Sequence, residues 1–290
     1  IGLFANAQDM QLHYSRGWAS ITINVKNLVN AGDGKTLVLM DEIPFELMTT
    51  FVPDETTPSP IDGKTYHIFW LTEQNKFYVE NALELLDTEG EFYFDKQARI
   101  LYYKPLTGED ITTAEVYVPG LEKLIGIKGA SLDDKAENIT FSGITFAYAK
   151  AEIFDRGFLG DQAQTQILFD APRSAYAPGN TIVDANVTIE AARNIKFENN
   201  IFRGLAKVGL GLYNGSENVI VNGNVFCDTG DSAITIGTPQ DAYMEDMSNG
   251  KNVAYNKNVI STVNEVGNFA AFANDGDLLR GWNIYDERTY

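Results

Sequence analysis

The chain has 290 residues, of which 44% are hydrophobic and 21% charged, a balance that allows a globular protein to bury a core. Its 40 acidic and 22 basic residues give a formal net charge of −18, which argues against nucleic acid and anionic membrane surfaces as partners. No run approaches the roughly 18 apolar residues of a membrane span, so no membrane insertion is expected. The single cysteine, Cys227, excludes an internal disulfide.

Residues 1–120 predict a β-rich region with mostly antiparallel strands. Residues 18–25 alternate apolar and polar side chains, and residues 35–40 do so more loosely. Two short aromatic segments, 91–94 and 99–103, flank a polar turn, which is typical of a β-hairpin. We expect this region to pack against the part of the chain that follows.

The second half of the sequence is a repeat. A nine-residue pattern that begins with Asn and alternates apolar and polar positions occurs at 138–146, 194–202, 218–226 and 252–260. The units are 24 residues apart, or 24 plus an insertion. A unit this short buries its apolar side chains only by stacking on the next unit, and its period of two indicates strands rather than helices. The repeated asparagines predict turns that form ladders, with a second ladder at Asn200, Asn224 and Asn258.

We therefore predict an all-β protein in which residues 121–277 form parallel β-coils and residues 278–290 form a tail. The third strand of each coil is predicted at 186–189, 209–212 and 233–236. Insertions at 147–184 and 238–250 interrupt the repeat before and after these strands. Because loops on a rigid scaffold commonly carry binding sites, we expect a groove across the third sheet, bordered by the two insertions.

Four segments occur in a familiar order, at residues 81–87, 90–95, 101–105 and 138–146. Their order and spacing resemble those of right-handed parallel β-helix glycoside hydrolases, in particular the fucosidase/xylanase-type family 141 and the β-xylosidase-type enzymes. The resemblance covers about residues 8–260. It implies a right-handed coil, a polysaccharide or oligosaccharide substrate, and a secreted, periplasmic or cell-surface location. Family members are usually longer at both ends, with more coils after this point.

Glycoside hydrolysis requires two carboxyl groups that face each other across the scissile bond. Equivalent residues of adjacent coils are about 4.8 Å apart. The thirteenth residue after the first Asn of three successive units is Lys207, Asp231 and Glu265. This column predicts Asp231 as a nucleophile and Glu265 as the acid/base, with Asp228 as a nearby partner or substitute. The alternative is that Asp228 and Asp231 only shape their turn.

Substrate-binding candidates are Lys207 in the same column and Glu190 and Tyr213, which follow the third strand and are expected to point into the groove. His13 and His67 are far apart in sequence and predict no metal site, and no cofactor is expected. Two other functions remain open. A polysaccharide lyase would need a Ca²⁺-binding carboxylate cluster with a basic residue, and a non-catalytic protein would bind glycans through aromatic side chains alone.

Overall fold

The computed structural model describes residues 4–16, 19–40, 49–51, 66–68, 77–151, 158–161, 165–167, 183–237, 260–262, 265–266 and 283–284. The chain forms two compact units. Unit 1 comprises Ile1–Val116 and Ile153–Ala163, and unit 2 comprises Tyr117–Glu152 and Gln164–Tyr290.

Unit 1 is built from antiparallel strands. Its strands are β1 (Gln11–Arg16), β2 (Ala19–Gly32), β3 (Lys35–Met40), β4 (Thr49–Phe51), β5 (Tyr66–Ile68), β6 (Phe77–Glu80), β7 (Phe92–Asp95), β8 (Ile100–Tyr103) and β12 (Phe158–Asp161). Two 3-10 helices span Ala7–Asp9 and Leu83–Leu85. Strand β2 lies between β1 and β12 and also pairs with β3, and β6 pairs with the other edge of β1. The expected antiparallel N-terminal region is confirmed.

The hairpin predicted around residues 95–98 is also confirmed. Strand β7 pairs with β8, and the Asp95 carboxylate accepts hydrogen bonds from the backbone N–H groups of Gln97 and Ala98. The insertion predicted as a groove wall, 147–184, contributes β12, which adds a strand to the sheet of unit 1 beside β2. Most of this insertion lies outside the described residues, so its part as a groove wall stays a prediction.

Unit 2 contains three parallel sheets. Sheet A consists of β10 (Ala136–Ser142), β15 (Ala192–Glu198), β18 (Ile220–Asn222) and β21 (Ile260–Thr262). Sheet B consists of β11 (Thr145–Ala149), β16 (Ile201–Leu205), β19 (Val225–Thr229) and β22 (Glu265–Val266). Sheet C consists of β9 (Ile125–Lys128), β14 (Ala185–Glu190), β17 (Val208–Tyr213), β20 (Ile234–Ile236) and β23 (Asn283–Ile284). A further strand, β13 (Thr165–Ile167), precedes β14 in the chain.

From β9 onwards the described strands of unit 2 visit sheets C, A and B in a fixed order, apart from β13. We call one passage through A, B and C a coil. Phe197 pairs with Phe141 on one side and with Val221 on the other, so equivalent positions of successive units stack in register. The predicted parallel pairing of units 194–202 and 218–226 is confirmed.

Apolar side chains from all three sheets meet inside the coils. Phe146, Phe202 and Phe226 form one stack along this interior, with ring centroids 4.8 Å and 4.5 Å apart. All three are buried, as are their neighbours Ile195 and Leu210. The sequence prediction that these phenylalanines stack inside is confirmed.

Asparagine ladders close the turns between the sheets. Asn138, Asn194 and Asn218 adopt left-handed backbone conformations, with φ of 64°, 57° and 51°, which asparagine tolerates better than most residues. Their side-chain amides hydrogen bond from coil to coil at 3.1 Å and 3.2 Å. In the second ladder, the buried Asn224 accepts hydrogen bonds from both the backbone and the side-chain nitrogen of Asn200. The turn-ladder interpretation is thus confirmed for these residues.

The position of the fourth unit was predicted wrongly. Ile220 pairs with Ile260 and Val225 pairs with Glu265, an offset of 40 residues instead of 34. Residues 260–262 and 265–266 thus stack on 220–222 and 225–226. In the sequence, this offset aligns the unit 218–226 with 258–266, which has Asn at its first and seventh positions, 258 and 264, and both of these lie outside the described residues. The coils also continue into the predicted tail, because Asn283 and Ile284 form a strand beside β20.

We predict that Phe202→Ala lowers the free energy of unfolding by about 3–5 kcal/mol, because it leaves a cavity between two stacked rings. Chemical denaturation measures the effect. Ile201→Ala is the matched control, since Ile201 is the preceding residue of β16 and is exposed. Its expected loss is below about 1 kcal/mol. Equal losses in the two variants would contradict the placement of Phe202 in the core.

Candidate active site

Four charged residues occupy equivalent positions just before successive strands of sheet C. Each lies three residues before the first inward-facing aliphatic side chain of its strand; they are Glu122, Asp184, Lys207 and Asp231. The register places them in one line, because Val187 pairs with both Ile125 and Leu210, and Leu210 pairs with Ile234. We call these four residues the charged column.

Lys207 is buried, and its charge is balanced within the charged column. Its Nζ lies 3.1 Å from Oε1 of Glu122, which precedes β9, two strands away from β17 in sheet C. Asp184 precedes β14, the strand between them, and forms its own ion pair with Lys123 at 2.9 Å. The side chains of Glu122 and Asp184 are 35% and 43% exposed. The column is therefore open to solvent at its carboxylate end and closed around Lys207.

Asn186 fixes the backbone on both sides of the charged column. This asparagine is fully buried on β14. Its side-chain nitrogen donates hydrogen bonds to the carbonyl groups of Glu122 and Lys150, and its side-chain oxygen accepts one from the backbone N–H of Lys207. A single side chain on β14 thereby connects the segment before β9, which contains Glu122, with the segment before β17, which contains Lys207.

Asp231 occupies the last described position of the column, in the turn before β20. Burial of its carboxyl group raises the pKa of Asp231 to about 7, although hydrogen bonds from the backbone N–H and hydroxyl of Ser232 act in the opposite direction. The prediction that Lys207 keeps Asp231 charged is wrong, because Lys207 pairs with Glu122 and desolvation dominates at Asp231. A carboxyl group with this pKa is suited to donating a proton near neutral pH.

Glu265 does not lie in the charged column. It belongs to β22 of sheet B and pairs with Val225, six residues before Asp231. The predicted stacking of Glu265 on Asp231 is therefore wrong, because the fourth unit is shifted by six residues. For Glu265 the structure describes the backbone only.

Asp228 has the features of a turn residue. It is exposed, with φ of 52°. The register of sheet B aligns it with Gly204 and Tyr148, which also have positive φ, at 57° and 60°. The same left-handed bend thus recurs on three successive strands, which explains the residue without catalysis. A catalytic part for Asp228 stays a prediction.

Glu190 and Tyr213 are neighbours in register at the end of sheet C. Glu190 forms an ion pair with Lys128 at 2.8 Å. Tyr213 is buried, and its ring lies over Gly211, where a Cβ atom would come within 2.2 Å of the phenol. The outward-facing Thr188 and Thr235 are buried as well. Within the described part of sheet C, the floor of the expected groove is therefore covered, and the assignment of Glu190, Tyr213 and Lys207 to substrate binding stays a prediction.

The attachment points of the two insertions lie at opposite ends of sheet C, before Val183 and after Gly237. Most of the inserted residues lie outside the described residues. Across the described ranges, no three His, Cys, Asp or Glu side chains are grouped so that they could hold a metal ion. No helix in the described part of the chain is long and apolar enough to cross a membrane.

The sequence analysis missed Glu122, Asp184 and Asn186. Glu122 precedes the first recognised repeat, and Asp184 lies at the end of an insertion. The available signal was the constant distance of three residues between a charged side chain and the first inward aliphatic of each strand: 122 to 125, 184 to 187, 207 to 210 and 231 to 234.

Comparison with known proteins supports the family resemblance. Residues 2–106 match the family model described as the GH141 insertion domain. A solved structure titled "Glycoside hydrolase" superposes with a TM-score of 0.62 and 25% sequence identity over 82% of this chain. The chain spans 40% of the length of that protein. No curated protein matches the sequence. The predicted resemblance to GH141-type glycoside hydrolases is confirmed.

The pKa of Asp231 predicts how stability depends on pH. Between about pH 4 and pH 7 the folded chain retains a proton that the unfolded chain releases, so stability falls as pH rises through this window and is level above it. We expect Asp231→Asn to abolish this loss of stability between about pH 4 and pH 7. In the parent the loss amounts to a few kcal/mol, at about 1.4 kcal/mol per pKa unit. Denaturation of parent and variant at pH 4, 5.5, 7 and 8 measures the difference. Parallel curves would show that the pKa is not raised.

The ion pair between Glu122 and Lys207 predicts a loss of stability in Glu122→Gln. The substitution leaves the buried Lys207 ammonium without its counter-charge, and we expect a cost of about 1–3 kcal/mol. Glu137→Gln is the matched control, because the pair of Glu137 with Arg193 is exposed and such pairs contribute about 0–1 kcal/mol. Urea denaturation at pH 7 compares them. A smaller loss for Glu122→Gln than for Glu137→Gln would contradict the role of the pair.

Proposed function

We propose that unit 2 is a right-handed parallel β-helix and that the protein is a glycoside hydrolase whose catalytic groups lie in the charged column. Connections between parallel strands are right-handed in nearly all known cases, which supports the proposed handedness. The observation that carries the proposed activity is that one column contains both Asp231, whose carboxyl group has a pKa of about 7, and Asp184, whose carboxyl group is accessible. The similarity to a solved glycoside hydrolase adds to it.

The two carboxyl groups have different environments, as acid and base must have. Asp231 is proposed to donate its proton to the leaving glycosidic oxygen. Asp184, half exposed and paired with Lys123, is proposed to accept a proton from the attacking water. The bond between the anomeric carbon and the leaving oxygen breaks while the water oxygen binds to that carbon. Each turnover thus moves one proton from Asp231 to the leaving group and one from water to Asp184.

The spacing of the strands favours inversion of the anomeric centre. Asp184 and Asp231 precede strands that are two positions apart in sheet C, which separates their backbones by about 9.6 Å. That separation is close to the upper end of the range of about 6.5–9.5 Å between the carboxyl groups of inverting enzymes and well above the roughly 5–5.5 Å of retaining enzymes. The nucleophile and acid/base pair expected from the sequence depended on Glu265 as the next residue of the column, and the register of β22 removes that basis.

Lys207 is proposed as a positioning residue. Its ammonium holds the Glu122 carboxylate at 3.1 Å, and its backbone is held by Asn186. Glu122 would then contact the sugar next to the scissile bond. A polysaccharide substrate is too large to enter a cell, so we also propose a secreted, periplasmic or cell-surface location.

The lyase alternative has less support. Its Ca²⁺ cluster of three or more carboxylates is not found among the described residues. Eliminative cleavage produces an unsaturated sugar with ultraviolet absorbance, so assays with and without chelator distinguish the two reactions. Binding to glycans with no turnover would favour the non-catalytic alternative.

The proposed roles predict the pH dependence of activity. Because the acid must be protonated, kcat/KM is expected to fall as pH rises above about 7. Aryl glycosides and plant polysaccharides are the substrates for the first screen. If kcat/KM instead falls as pH drops below about 7 and activity is full at pH 8, Asp231 acts as a nucleophile or base. Proton NMR of the first-formed product tests the inversion.

Substitutions separate the acid from the base. Asp231→Asn is expected to lower kcat by about 10²–10⁴-fold on polysaccharide and much less on aryl glycosides whose leaving group needs no proton. Asp184→Asn should lower kcat on both kinds of substrate. Asp133→Asn, in an exposed turn of unit 2, serves as the control. Full activity of Asp231→Asn on polysaccharide would remove Asp231 from the mechanism.

A further inference from the structure

A concave site lies within unit 1. Its cavity has a volume of about 670 Å³, within the range of about 300–1,000 Å³ that is usual for small-ligand sites. The described residues that line it all belong to unit 1, and they come from β1, from β6 and the segment after it, and from the hairpin of β7 and β8. None of them belongs to the charged column.

Two aromatic rings line this cavity with accessible surface. Phe92 is 69% exposed and Tyr78 is 39% exposed. A pyranose ring has a face of C–H groups that packs flat on an aromatic ring, while its hydroxyl groups project around the rim. The two rings therefore suit the apolar face of a sugar.

The Tyr78 ring is held in place from behind. It stacks on the imidazole of His13, with centroids 4.6 Å apart and planes 11° from parallel. His13 is itself buried and fixed by Glu80, whose Oε1 lies 2.7 Å from Nε2, and by Thr22, whose hydroxyl lies 3.0 Å from Nδ1. Such a ring loses little conformational entropy when a ligand binds to it.

Polar side chains around the rings are fixed in the same way. Gln11 donates a hydrogen bond to Asn24, and Asn81 donates one to the backbone carbonyl of Asp9. Glu91 accepts hydrogen bonds from two backbone N–H groups of its own turn. Each of these three residues lines the cavity. Planar amide and carboxylate groups with a fixed orientation are suited to binding pairs of hydroxyl groups.

The charges of the lining favour an uncharged ligand. Glu80 and Glu91 supply two carboxylates and Lys96 one ammonium, so the described lining is close to neutral and slightly acidic. A phosphate, sulfate or uronate ligand would be repelled more than it is attracted. A purely apolar ligand would cover the amide and carboxylate groups of the lining and remove them from water, which costs free energy.

We propose that the cavity of unit 1 binds a neutral oligosaccharide, with its sugar rings packed on Tyr78 and Phe92. This site holds glycan without cleaving it, and it is separate from the charged column in the residues that form it. Binding requires no hydrolysis, so the proposal stands or falls independently of the proposed mechanism.

Isothermal titration calorimetry of the whole chain tests the proposal, with xylohexaose and cellohexaose as neutral probes and hexagalacturonate as the anionic comparator. We expect saturable binding of at least one neutral probe and no binding of the anionic one. Phe92→Ala should weaken that binding by at least about tenfold. Phe94→Ala is the matched control, because Phe94 is also exposed, lies two residues away on β7 and does not line the cavity. It should change the affinity by less than about twofold.

Two further variants identify the mode of binding. Tyr78→Phe keeps the ring and should retain most of the affinity, whereas Tyr78→Ala should lose it. The double variant Asp231→Asn with Asp184→Asn slows turnover of the probe, and Phe92→Ala should weaken binding by the same factor in that background as in the parent. The proposal is overturned by the absence of binding to both neutral probes, by equal effects of Phe92→Ala and Phe94→Ala, by tighter binding of hexagalacturonate, or by an effect of Phe92→Ala that disappears in the double-variant background.

Discussion

The vertical register of the coils is the constraint on which unit 2 depends. The described strands of sheets A, B and C pair with the equivalent strands of neighbouring coils, so residues at equivalent positions lie above one another. Apolar residues then form continuous interior rows, such as the phenylalanine stack. Asparagines in left-handed turns form ladders, because an amide donates to the coil on one side and accepts from the coil on the other. A coil by itself has no partner for either row.

The same register creates the chemistry of the charged column. The register brings charged side chains at equivalent positions within a few strand spacings of each other and partly removes them from water. A charged group in such a place is stable only if it forms an ion pair or becomes neutral. Lys207 forms an ion pair with Glu122, and Asp184 forms one with Lys123. Asp231 has no cation partner among the described residues, and its pKa rises instead. Asp184 and Asp231 therefore have different environments, since Asp184 is half exposed beside Lys123 and the Asp231 carboxyl group is removed from water. Unit 1 obtains its fixed groups differently, because its sheet positions the cavity-lining Tyr78 through the buried His13.

Local patterns were sufficient to predict much of the architecture. Alternation and the spacing of 24 residues predicted parallel units, the interior phenylalanines and the asparagine turns, because these depend on contacts between identical positions. The polar turn between two aromatic segments predicted the β7–β8 hairpin. The fourth unit was placed wrongly because residues 252–266 contain two overlapping copies of the pattern, six residues apart, that share Asn258. A shift by an even number of residues leaves the inward and outward alternation unchanged, so the pattern alone does not distinguish the two registers.

The sequence by itself determined the all-β class, the parallel repeat and the candidate positions of Lys207 and Asp231 in one column. Only the tertiary structure decided that Glu265 stands beside Val225, that Lys207 pairs with Glu122, and that the Asp231 carboxyl group is protonated more readily than usual. Those three outcomes depend on which coil lies next to which and on how deeply a side chain is enclosed. The spacing of the repeats indicates which positions stack. Which strands pair across an insertion, and which side chains are removed from water, depends on segments that are far apart in the sequence.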